Sequence, residues 1–74
     1  MFDEKNLKVL KWVDDHASAI RECRKAIDHA RTYVEKAREA DDEDKMVVFE
    51  GFISSYEDEI EREKQLIIDI INGL

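Results

Sequence analysis

Val13, Ile20, Ile27 and Val34 stand seven residues apart, and so do Met46, Ile53, Ile60, Ile67 and Leu74. A second set falls three positions after each register: Val9, His16, Cys23, Ala30 and Ala37 in the first half, Phe49, Tyr56, Glu63 and Ile70 in the second. These are the a and d positions of a heptad, the spacing that keeps one narrow seam of an α-helix turned toward a partner helix. No strand alternation competes with it. The 74 residues include no proline and only two glycines, so nothing breaks helix formers from Asp3 to about Ala40, or from about Asp44 to Asn72. A break of the first helix near Asp14, Asp15 and His16 is the alternative, but no Gly or Pro sits there and the unbroken form is favoured.

The ends carry their own signals. Asp3 suits an N-cap, and Phe2 with Leu7 has the spacing of a hydrophobic staple. Asp41, Asp42, Glu43 and Asp44 place carboxylates at the positive end of the second helix dipole, so this acidic run reads first as a turn. Asn72, Gly73 and Leu74 predict a Schellman-type stop with Gly73 in the left-handed region.

A short turn near residues 41 to 43 folds the seams together with paired residue numbers summing to 83. Val34 then meets Phe49, Ile27 meets Tyr56, Cys23 meets Ile60 and Ala30 meets Ile53, small against large as close packing requires. On one flank Arg24, Arg31 and Arg38 at e line up with Glu50 and Glu57, a flank that should stay wet. The other flank reads Trp12, Ala19, Ala26, Tyr33 and Ala40 at the g positions of the first helix, with Phe52 and Leu66 at g of the second. That strip is too apolar for a solvated edge. Val47, Val48, Ile68 and Ile71 add apolar surface outside the seam.

Two helices cannot enclose a core between them. The expectation is therefore an all-α fold over residues 1–74 as one domain, an antiparallel helical hairpin that dimerises into a four-helix bundle across the g strip. One cysteine excludes an intramolecular disulfide and suits a reducing cytoplasm. The first residues lack the basic start and apolar stretch of a secretory signal, and no apolar run approaches membrane-spanning length.

Chemistry is sparse. His16 and Glu63 fall in adjacent layers of the seam, where they can bond each other as a register-fixing polar pair or, on a sharper reading, as a pH switch or acid–base couple. Cys23, with Arg24 next to it to lower its pKa, could be reactive, but a d position between Ile20 and Ile27 favours a small buried hydrophobe. His16 and His29 lie on different faces, and no Glu-x-x-His pattern is present, so no metal or other cofactor is expected.

Nineteen acids against twelve bases give a net charge of −7, which repels nucleic-acid phosphates and anionic lipid. The function expected is a non-enzymatic protein–protein interaction module, a small regulator, adaptor or inhibitor of the phage or plasmid accessory type, acting as a homodimer on a protein partner. Candidate contacts are Phe2, Leu7, Trp12, Val47 and Val48, and the acids Asp41, Asp42, Glu43, Asp44, Asp58 and Glu61. An alternative makes the acidic second half a nucleic-acid mimic that blocks a basic enzyme, and a further alternative is a small metal-binding or enzymatic bundle around His16, Cys23 and Glu63.

Overall fold

The computed structural model describes residues 3–73, and consists of two helices, α1 (Glu4–Glu39) and α2 (Glu43–Asn72), packed against each other as a rod of 58 × 15 × 10 Å. The staple of Phe2 on Leu7 and the seam place of Leu74 lie outside the described residues. α1 runs without interruption through Asp14, Asp15 and His16. It starts where Asp3, in extended conformation, accepts a bond from the Asn6 backbone N–H at 3.0 Å. That bond satisfies one of the amides a helix start leaves open.

The seam set by the heptads is the one the helices use. Ile20, Ile27, Ala30, Val34, Ala37 and Ile60 are buried, and every one is an a or d residue. Cys23, Ile53 and Ile67 pack half-buried against the cluster of Ile20, Ile27 and Ile60, as layers with residue numbers summing near 83 require. Tyr56 is the exception among the d residues, exposed at the edge of the seam. Five of the six buried residues belong to α1, two of them the small Ala30 and Ala37, and Ile60 belongs to α2.

The turn differs from the sequence expectation in its chemistry. Asp41 takes φ = 56°, in the left-handed region. Its backbone N–H donates to Arg38 O (3.1 Å) and that of Asp42 donates to Ala37 O (2.8 Å), the bond pair of a Schellman motif with an aspartate where glycine is usual. Asp42 then caps α2 by accepting from the Lys45 N–H at 3.2 Å. α2 ends at Asn72 with Gly73 as its C-cap, but not in the left-handed form expected: Gly73 is right-handed (φ −78°, ψ −9°), and its N–H donates to Asp69 O. The left-handed cap stands where the chain reverses, at Asp41.

Two glycine exchanges check this account. Asp41→Gly removes the Cβ penalty of a left-handed residue and a negative charge from the C-terminus of α1, and should stabilise by about 0.5–1 kcal/mol. Asp41→Val should destabilise by more than that. Gly51 faces open space, with no atom within 4 Å of an added Cβ, so Gly51→Ala should stabilise α2 by about 0.5–1 kcal/mol. Urea denaturation at one fixed chain concentration reads all three.

Candidate interaction surface

The d positions carry one polar contact across the hairpin. His16 on α1 and Glu63 on α2 are both half-buried, and His16 Nδ1 is hydrogen-bonded to Glu63 Oε2. Every other ion pair among the described residues joins residues of a single helix or its cap, most of them at three- or four-residue spacing. The sequence-predicted pair is thus assembled, and each member is occupied by the other. Among the described residues no three of His, Cys, Asp and Glu converge on a point where a metal ion could be held.

Cys23 lies two turns along α1 from His16. Burial pushes its thiol up from the ordinary value, and the negative charges of Glu59 and Glu63 push in the same direction; the opposing influence comes from Arg62 of α2. Arg24 does not activate it, because neighbours in a helix point about 100° apart and Arg24 turns to the charged flank. Glu59 carries its own shift: its bond from Arg62 holds its carboxyl below the usual range and raises the guanidinium in turn.

The two flanks of the seam are physically distinct surfaces. On the e side, Arg24, Arg31 and Lys64 line an open groove together with Glu57, Asp58 and Glu61. The charges face each other as the heptads predict, but the arginines do not bridge the helices: Arg31 pairs with Asp28 at 3.9 Å and Arg38 with Glu35, partners one turn away on the same helix. Because bases and acids share this groove, the acids of α2 do not present an unbroken row of negative charge there. Asp41, Glu43 and Asp44 are exposed at the turn, whereas Asp42 is half-buried and committed to its cap.

On the g side, Trp12, Tyr33 and Phe52 are each about half exposed (53%, 50% and 50%) and Leu66 44%, with Ala19 and Ala26 half-buried between them and Ala40 exposed at the turn. Tyr33 stacks on Phe49 with ring centroids 5.1 Å apart, and Phe49 meets Phe52 edge-on at 5.9 Å. Lys36 Nζ lies 5.6 Å from the centre of the Tyr33 ring. This aromatic cluster was not singled out from the sequence, although the spacing of Phe49 and Phe52 and the register opposite Tyr33 hold its signal. Off the g flank, Leu10 and Ile71 at e positions are exposed, as are Leu7, Val47, Val48 and Ile68. The place of Phe2 lies outside the described residues.

No described helix is long and apolar enough to cross a membrane. Comparison with protein-family models, with curated proteins and with solved structures finds no match to this chain.

Two measurements check the seam chemistry. Alkylation of Cys23 at pH 8 should be several-fold slower in the folded protein than in urea, because the raised thiol keeps less thiolate and half-burial limits access. The unfolded chain gives up its thiol proton first, so stability should fall as pH rises through the ordinary thiol value. Replacing the polar pair together, His16→Leu with Glu63→Leu, should leave the fold at least as stable in urea. Glu63→Ala alone should cost about 1–3 kcal/mol by leaving His16 without its partner.

Proposed function

We propose that this chain is a non-enzymatic interaction module that works as a homodimer, a regulator, adaptor or inhibitor that meets its protein target through surfaces the dimer leaves free. The observation that carries the reading is the apolar g flank: Trp12, Tyr33, Phe52 and Leu66 project from one side of a rod whose own core is a single seam. Large apolar side chains gathered on one flank, interrupted in α2 by Glu59, are characteristic of a contact region.

The area supports a second copy as the first occupant. The chain exposes 5908 Å², whereas a compact monomer of 8.7 kDa exposes about 4,700 Å². Its radius of gyration is 17.1 Å against about 11 Å for a compact chain of this length. The surplus of roughly 1,200 Å² exceeds the ~800 Å² that each partner gives to a standard interface. Two hairpins laid flank to flank form a four-helix bundle, in which each helix gains a second neighbour.

Such a dimer leaves Leu7, Leu10, Ile68 and Ile71 exposed near the open end, at b and e positions facing away from the g flank, and Val47 and Val48 near the turn. These are the contacts offered to a heterologous protein. The groups with the most chemical character are otherwise engaged, His16 with Glu63 and the Cys23 thiol held protonated in the seam.

Sedimentation equilibrium on the full chain at micromolar concentration should give twice the chain mass. Ala19→Arg with Ala26→Arg, which sets like charges on the g flank without touching a or d, should give a helical monomer by sedimentation and circular dichroism. Arg31→Ala, on the charged flank, should leave the dimer intact. A folded parent that sediments as a monomer overturns the homodimer.

A further inference from the structure

Accepting the homodimer just proposed, a two-fold contact is self-complementary, so the pattern of the g flank restricts how a second copy can lie on it. Two symmetric arrangements are open to flat hairpins. A two-fold axis running along the rods places α1 over the partner's α2 with both turns at the same end. An axis crossing the rods in the plane of the interface places α1 on the partner's α1, with the turn of each copy at the open end of the other.

Charge separates them. The turn end carries Glu39, Asp41, Asp42, Glu43 and Asp44 against Arg38 and Lys45, whereas the stretch from the Asp3 cap to Lys11 carries Lys5, Lys8 and Lys11 against Asp3 and Glu4. Turns at one end would bring two acidic clusters together; turns at opposite ends bring each acidic cluster to the other copy's lysines.

The side chains of α1 fit the crossed axis as well. Its g column reads Trp12, Ala19, Ala26, Tyr33: large, small, small, large. The midpoint of that column, between Ala19 and Ala26, lies within about one residue of the middle of α1, so a two-fold there overlaps the rods almost completely. Ala19 then lies on the partner's Ala26, letting the backbones approach closely, and Trp12 lies on the partner's Tyr33 at each end of the alanines. One heptad further out, Lys5 meets the partner's Ala40 beside the acidic turn.

We infer that the second copy docks antiparallel on the g flank, α1 on α1, with Trp12 seated on the partner's Tyr33 and the lysine-bearing start of α1 beside the partner's acidic turn.

Disulfide trapping in a Cys23→Ala background tests this. Chains carrying Ala19→Cys and chains carrying Ala26→Cys, mixed and oxidised, should form a covalent heterodimer. Each variant alone should form little, because identical positions are then a full heptad, about 10 Å, apart along the rods, beyond disulfide reach. The arrangement with both turns at one end instead predicts crosslinks between Ala19→Cys and Leu66→Cys chains, and that result overturns the proposal. No crosslink in any mixture that still sediments as a dimer also overturns it while leaving the homodimer standing; a monomer by sedimentation removes both. Trp12 is the sole tryptophan and lies about 32 Å along α1 from Tyr33 of its own chain, so its emission reports the contact independently. In samples that sediment as dimers, Tyr33→Ala should shift Trp12 emission to the red, and unchanged emission contradicts the seating.

Discussion

A helix of this kind has one narrow stripe to give a single neighbour, and in this chain that stripe is the a/d seam. All six buried residues lie on it, and none of the side chains is wholly removed from water. Burial of apolar surface is the main favourable contribution to folding, and a seam of six residues set against the ordering of two long helices leaves the hairpin thinly supported by itself. Most other features of the surface follow from that shortage. The aromatic residues outside the seam, the small residues between them and the sorting of charge onto the opposite flank are what a rod needs if its remaining stability comes from association.

Polar groups in the seam refine this frame without supplying its energy. The His16–Glu63 bond interrupts a run of aliphatic layers, where a slip of one heptad would otherwise meet equally apolar partners. A polar pair that is satisfied in one register and stranded in the neighbouring ones discriminates between them, which is the best-attested service of such groups in coiled coils. Cys23, two turns along α1 from His16, shows the same environment from the other side: burial and the carboxylates of Glu59, Glu63 and Glu22 disfavour its thiolate.

The helices, their unbroken course, the seam and the polar pair were legible in the sequence because each depends on spacing alone. Features that depend on backbone conformation or on the reach of a flexible side chain were not. Asp41 gives no sequence sign of a left-handed residue, since the motif it completes ordinarily uses glycine; Gly73 gives such a sign, yet caps α2 in the right-handed region. Arg31 and Arg38 line up with glutamates across the seam, but Asp28 and Glu35 are one turn away on the same helix and are reached at less cost in side-chain order. The stack of Tyr33 on Phe49 with Phe52 needed the register and the rotamers together. The apolar g flank was legible as a surface; its occupant is a matter of energetics between molecules, which one chain's spacing does not encode.

The uneven distribution of burial along the rod bears on how the chain reaches this shape. Ile20, Ile27, Ala30, Val34 and Ala37 lie in the part of α1 that leads into the turn, while positions before Ile20 are at best half-buried. Contacts close to a reversal enclose short loops and form with little loss of chain entropy, whereas those at the far tips enclose nearly the whole polypeptide. The rod therefore zips from Asp41 outward, and the tips of the two helices are the last parts to close and the first to fray.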